Sequence, residues 1–170
     1  NERNLDATES DSRERLFNFE PNLFSKSYNH EAFLFEHNLS GNPLFQFDRL
    51  FELCLRHPPE NVKFRHGKIS KLEDFDASFG RFNDDLTLES AINDFDNNGS
   101  YIAVYYPELD QEYRPIIERL LSEINEHIRD LDSPITWFAT YIFMSTGQSV
   151  TPYHMDREMN FLLQIHGDKE

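Results

Sequence analysis

The chain has 170 residues, enough for one domain with its own core. Its apolar share is low at 38%, but sixteen Phe and seven Tyr argue against the aromatic-poor composition of a disordered chain. Thirty-one acidic residues against sixteen basic ones give a formal charge of −15, which disfavours nucleic acid and anionic membranes as partners and obliges an anionic small ligand to find its own buried cation.

Residues 1–20 are charged and show no apolar period before Leu16 and Phe17, so a flexible N-terminal segment is expected there, followed by a single domain over 21–170. In "GNPLFQFDRLFELCLRHPP", Asn42 suits a helix cap, Pro43 the first helical position and Pro58 a stop. Leu44, Phe47, Leu50, Phe51, Cys54 and Leu55 recur at helical steps and form one buried face. Cys54 is the sole cysteine, has no partner for an internal disulfide and reads as a core thiol.

Residues 71–98 hold eight acidic side chains and two basic ones; they read as a solvated face with a short helix from Leu86 to Phe95, without the spacing of a calcium loop. "SYIAVYY" (100–106) is rich in β-branched and aromatic residues and predicts a strand. After Pro107, Ile117, Leu120, Leu121, Ile124, Ile128 and Leu131 mark one face of a long helix that ends before Pro134, with His127 partly exposed beside that face. From Ile135 the pattern changes to strands in "ITWFATYIFMS", "TPYHMD" and "NFLLQIHG". The order predicts an α+β chain in which helices flank the start of a β-sandwich or barrel. No apolar run reaches membrane-spanning length and no leader pattern is present, so the reducing cytoplasm is the expected compartment.

Chemistry concentrates in "TPYHMDREMNFLLQIHGDKE" (151–170). In a strand, residues i and i+2 face the same side, so His154 and Asp156 can converge on one ion. Seven His and fourteen Asp make that spacing arise by chance about 0.6 times in such a chain, so the pair gains weight only from its neighbours. Those are Thr151, three residues before His154; Asn160, opening an apolar strand; and Lys169, a cation suited to an anionic co-substrate.

Together, "TPYHMD" and "NFLLQIHGDK" resemble the JmjC, or cupin-like, Fe(II)- and 2-oxoglutarate-dependent oxygenases, close to their asparaginyl-hydroxylase branch. The resemblance covers about the last 35 residues. It implies a double-stranded β-helix (jelly roll) with N-terminal flanking helices, and hydroxylation of a protein or peptide side chain with succinate and CO2 as co-products. His154 and Asp156 would be iron ligands. Lys169 and Thr151 would hold the distal carboxylate of 2-oxoglutarate, and Asn160 would lie near its metal-proximal end. Tyr101 would complete the co-substrate pocket, with Tyr105 as second choice. Phe161, Leu163 and Ile165 would wall the barrel, while His166 is read as structural. The resemblance also allows a homodimer.

The family's second histidine ligand lies downstream of the lysine. His30, His37, His57, His66 and His127 have no strand context that returns them to the site, and only one predicted strand follows Asp156. The expectation is therefore a barrel truncated on its C-terminal side, with weak iron binding and no turnover from these 170 residues alone. The alternative reading is a non-catalytic cupin-like module that binds a ligand or regulates.

Overall fold

Aromatic and β-branched residues make the centre of this molecule a three-stranded antiparallel sheet. The computed structural model describes residues 15–169. Strands β3 (Val62–His66), β4 (Ser100–Tyr105) and β5 (Tyr141–Ser145) lie in the order β3-β4-β5, with β4 central and all but its last residue buried. The register pairs Val62 with Val104, Phe64 with Ile102 and Met144 with Ile102 on one face. On the other face Arg65 opposes Tyr101, and Tyr141 opposes Tyr105. A second, two-stranded antiparallel sheet joins β1 (Phe17–Asn18) to β2 (Glu36–His37).

The inner face of the three-stranded sheet belongs to the main core. Helix α2 (Phe47–Arg56) brings Leu50, Leu53 and Cys54, and helix α6 (Arg114–Ile128) brings Ile117, Leu120, Ile124 and Ile128. Burial pushes the Cys54 thiol up to about 12, as expected for a sulfur packed among apolar side chains. Leu16, Phe17 and Phe19 are buried in the same core, so packing begins ahead of residue 21; the rest of the segment expected to be flexible, residues 1–14, lies outside the described residues. Phe19 packs edge-on against Phe24 and against His127, and burial lowers the affinity of that imidazole for a proton.

Helix α1 (Pro21–Ser27) starts at Glu20, whose carboxylate accepts hydrogen bonds from the Asn22 and Leu23 amides. Asn42 caps a 3-10 turn, Pro43–Phe45, that leads into α2, so the region expected to form one helix divides at Gln46. The acidic stretch is more structured than expected. It holds α3 (Phe75–Arg81), capped by Asp74, then α4 (Leu88–Asn93), capped by Thr87, and α5 (Phe95–Asn98). On the outer face of the sheet, Phe79 of α3 packs with Tyr101 and Ala103 in a smaller core, with Phe75 and Tyr105 beside it.

The mixed α+β class is observed, with two small antiparallel sheets. Three strand expectations need correction. The strand expected from Ile135 begins only at Tyr141; "TPYHMD" and "NFLLQIHG" form no strand among the described residues; and β3, between the first helices, was not anticipated. The closing segment takes its backbone partners from loops instead: Val150 N–H donates to the Gly67 carbonyl at 2.8 Å and Tyr153 N–H to the Lys71 carbonyl at 3.0 Å. No described helix is long and apolar enough to cross a membrane.

Candidate metal and co-substrate site

The outer face of the sheet sets the position of the closing motif. Pro152 is buried, and the two hydrogen bonds just described pin the chain on either side of it. Gly67 is where this closure happens. Its amide donates to the Gly99 carbonyl at 2.6 Å, and a Cβ at this position would overlap both that carbonyl and the Ser149 side chain.

Beyond Pro152 the chain turns His154 and Asp156 toward each other, with Nε2 to Oδ2 at 3.8 Å. The His154 ring stacks on Phe75 with centroids 5.0 Å apart, and its Nδ1 lies 2.9 Å from the Pro152 carbonyl. A carbonyl only accepts, so Nδ1 carries the proton in the neutral ring and Nε2 keeps a lone pair. That is the tautomer a metal-binding imidazole needs, held by a second group as such ligands usually are. Asn160 Nδ2 donates to Asp156 Oδ2 at 2.6 Å and fixes the carboxylate. His154, Asp156 and Asn160 are all solvent-accessible. Among the described residues, no group of three or more His, Cys, Asp and Glu side chains is arranged to hold an ion. The donor set of one imidazole and one carboxylate fits two positions in the shell of a divalent ion such as ferrous iron.

Two of the proposed co-substrate residues also meet. Tyr101 is buried on β4, burial raises its hydroxyl pKa, and a hydrogen bond with Thr151 partly offsets that rise. Tyr105, four residues along the same face, contacts Tyr141 instead. The other half of the motif goes elsewhere. Phe161, Leu163 and Ile165 keep the expected alternation without forming a strand and pack on the main core, opposite the face that holds Tyr101. His166 Nε2 donates to the Phe45 carbonyl at 2.8 Å and its ring stacks on Phe47, which gives it a structural role. Lys169, exposed three residues later, has no hydrogen bond or ion pair to Thr151 or Tyr101 among the described residues. The other histidines are spread over the molecule: His37 reaches the Gln164 carbonyl, His57 the Tyr105 carbonyl and His66 the Asp85 carboxylate.

Sequence reasoning missed Arg65. It is fully buried on β3, donates through Nη1 to the His66 carbonyl at 2.8 Å and through Nη2 to the Val150 carbonyl at 2.9 Å. Its guanidinium lies over the Tyr101 ring, 4.3 Å from the centroid, and 5.4 Å from that of Phe79. Its Nε has no partner among the described residues, and burial lowers its pKa from the ordinary arginine value. The alternation of Val62 and Phe64 with Lys63 and Arg65 is the signal that could have found this strand. What it could not mark was that the charged face is itself covered by α3.

Comparison with family models, with curated proteins and with solved structures gives no match. The resemblance therefore rests on the sequence motif alone.

Proposed function

We propose that this chain carries part of an Fe(II)- and 2-oxoglutarate-dependent oxygenase site of the JmjC, cupin-like kind, on a fold related to the double-stranded β-helix. The reading includes a cytoplasmic protein that hydroxylates a protein or peptide side chain. The observation that supports it most is the convergence of His154 and Asp156 at 3.8 Å, with the imidazole tautomer fixed by the Pro152 carbonyl. Two ligands of one ion at ordinary bond lengths sit about 3 Å apart, so a small rotation of either side chain brings both onto an ion.

In this reading His154 and Asp156 hold the iron, Thr151 and Tyr101 receive one carboxylate of 2-oxoglutarate, and Asn160 keeps Asp156 oriented. Lys169 is assigned to the same carboxylate by the resemblance. Bound together, ferrous iron and 2-oxoglutarate supply oxygen activation, which ends in hydroxylation of a nearby C–H bond and release of succinate and CO2. The chain's own contribution is orientation. Arg65 holds the Val150 carbonyl, hence the Thr151–Pro152 turn, and Phe75 supports one face of the His154 ring.

The test is metal binding by the purified chain, read by calorimetry with Fe(II) under anaerobic conditions and with Co(II) by its visible absorption. His154→Ala and Asp156→Ala should each weaken binding at least tenfold, by analogy with the loss of a metal ligand's support. Metal affinity unchanged by His154→Ala would refute the assigned site. A second reading, a non-catalytic cupin-like module, draws on the Asn160 hydrogen bond, which already engages Asp156. Succinate formation from 2-oxoglutarate separates the two in a protein that joins this chain to the second histidine ligand.

A further inference from the structure

The outer face of the sheet carries a second feature that the iron site does not use. Tyr105 and Tyr141 are direct cross-strand partners, and their rings meet nearly at right angles with centroids 4.8 Å apart. Successive strand residues point to opposite faces, so Tyr106 should turn toward the core. It does not. Its backbone takes φ 57° and ψ 51°, in the left-handed region, and its amide donates to the Thr140 carbonyl at 2.9 Å. Pro107 follows and disfavours the right-handed helical alternative. The Tyr106 ring thereby lies 6.4 Å from Tyr105 and 6.3 Å from Tyr141, on the same side as both. A bulky residue held left-handed is costly, and such outliers persist where the surroundings over-determine them.

Tyr105 thus stands steeply to both Tyr106 and Tyr141, those two are tilted at 44° to each other, and the three rings share one corner. Tyr106 and Tyr141 are exposed, and Tyr105 is half-buried. Phe143 stacks on Tyr141 at 5.9 Å and extends the apolar floor. Asp76 follows Phe75 in α3, and the Phe75 ring meets Phe143 edge-on at 6.2 Å, so a carboxylate flanks this floor. Burial is the main reason the Tyr105 and Tyr141 hydroxyls hold their protons above the ordinary value, and the charge of Asp76 adds to it. The negative faces of the rings and the nearby carboxylates both favour a cation. A chain of charge −15 repels a second copy of itself and recruits a basic partner.

We infer that the corner formed by Tyr105, Tyr106 and Tyr141, with Asp76 at its rim, docks a lysine or arginine side chain of a basic peptide. The inference stands without the oxygenase reading, because none of these four residues is assigned to the metal.

The experiment is calorimetric titration of the whole chain, in EDTA, with the capped peptide acetyl-Gly-Arg-Lys-Arg-Gly-amide. A counterpart with citrulline and glutamine in place of the basic residues is the control. The charged peptide should bind and the neutral one should not. Tyr141→Leu and Asp76→Asn should each weaken binding about tenfold, whereas Tyr141→Phe, which keeps the ring, should retain most of it. Glu118→Gln, on the exposed side of α6, should change affinity less than about twofold. Tyr106→Gly relaxes the left-handed position and so keeps the fold while removing one wall; it should match the loss in Tyr141→Leu. Absence of binding by the charged peptide, equal binding of the neutral one, unchanged affinity in Tyr106→Gly, or an equal loss in Glu118→Gln overturns the proposal. Loss of metal binding in His154→Ala, measured separately, leaves it standing.

Discussion

Arg65 is the residue on which the outer face of the sheet depends. A buried guanidinium is unfavourable unless its protons are used, and here Nη1 and Nη2 donate to the carbonyls of His66 and Val150, with Nε unpaired among the described residues, while the flat cation covers the Tyr101 ring. Truncation leaves those carbonyls unpaired and removes the cation–π contact. Arg65→Met should therefore lower the unfolding free energy by about 3 kcal/mol, read from the urea midpoint at constant slope. Arg65→Lys should recover little of it, because one ammonium does not span two divergent carbonyls as a guanidinium fork does. The same variant should speed hydrogen exchange at the Val150 amide, whose position the Nη2 bond secures. A full recovery by lysine would show that charge alone, rather than the planar fork, is what this position requires.

Periodicity decides how much was legible at the scale of elements. The long apolar stripe of α6 and the alternating, β-branched run of β4 were read directly, because each repeats over several turns or pleats. The short elements were not. β3 carries Lys63 and Arg65 on its outer face, and α3 lies within an acidic stretch, so each resembles solvated chain until the other covers it. The closing motif shows the reverse error. Phe161, Leu163 and Ile165 alternate as a strand would, but no described neighbour offers them a ladder, so the alternation is satisfied by packing alone. At the site, His154 and Asp156 do lie near each other, but not through the strand on which the spacing argument relied, and Tyr101 and Thr151 come together as neighbours. The support from Arg65 and Phe75 depends on cross-strand register, which a local motif does not encode. That register closes at Gly67, where β3 leaves the sheet. Gly67→Ala should destabilise the fold by about 1–3 kcal/mol, since the added methyl meets a backbone carbonyl that no side-chain rotation can move away. Gly147→Ala, with nothing within 4 Å of the added Cβ, should be close to neutral in the same urea titration and serves as its control.

Across the whole molecule, the excess of acid makes the few well-placed cations important for pairing one element with another. Arg56, in the last turn of α2, binds Asp110 through Nε at 2.7 Å and Glu112 through Nη2 at 2.7 Å, tying α2 to the turn that enters α6. Arg49 also pairs with Glu112. Asp110 further accepts the amide of Glu112 at 2.9 Å. The Arg56 hydrogen bond is the largest influence holding the Asp110 carboxyl below its ordinary value of 3.8, against a smaller opposing effect of burial. A carboxyl depressed in the folded state binds its proton more weakly there than in the unfolded chain, so it stabilises the fold at pH above the unfolded value. That contribution should be complete by about pH 5 and fade as the pH falls through 3.8 toward the lower folded value. Arg56 is more than a third exposed, so the effect is expected to be about 1 kcal/mol rather than the several a buried pair would give. Asp110→Asn should accordingly cost about 1 kcal/mol at pH 7 and close to nothing near pH 2, measured as the difference in urea midpoint from the parent chain at each pH. Salt should narrow the neutral-pH difference, since the pair is only partly sheltered. A difference that stayed constant from pH 7 to pH 2 would mean that Asp110 acts through packing or neutral hydrogen bonding rather than through its charge.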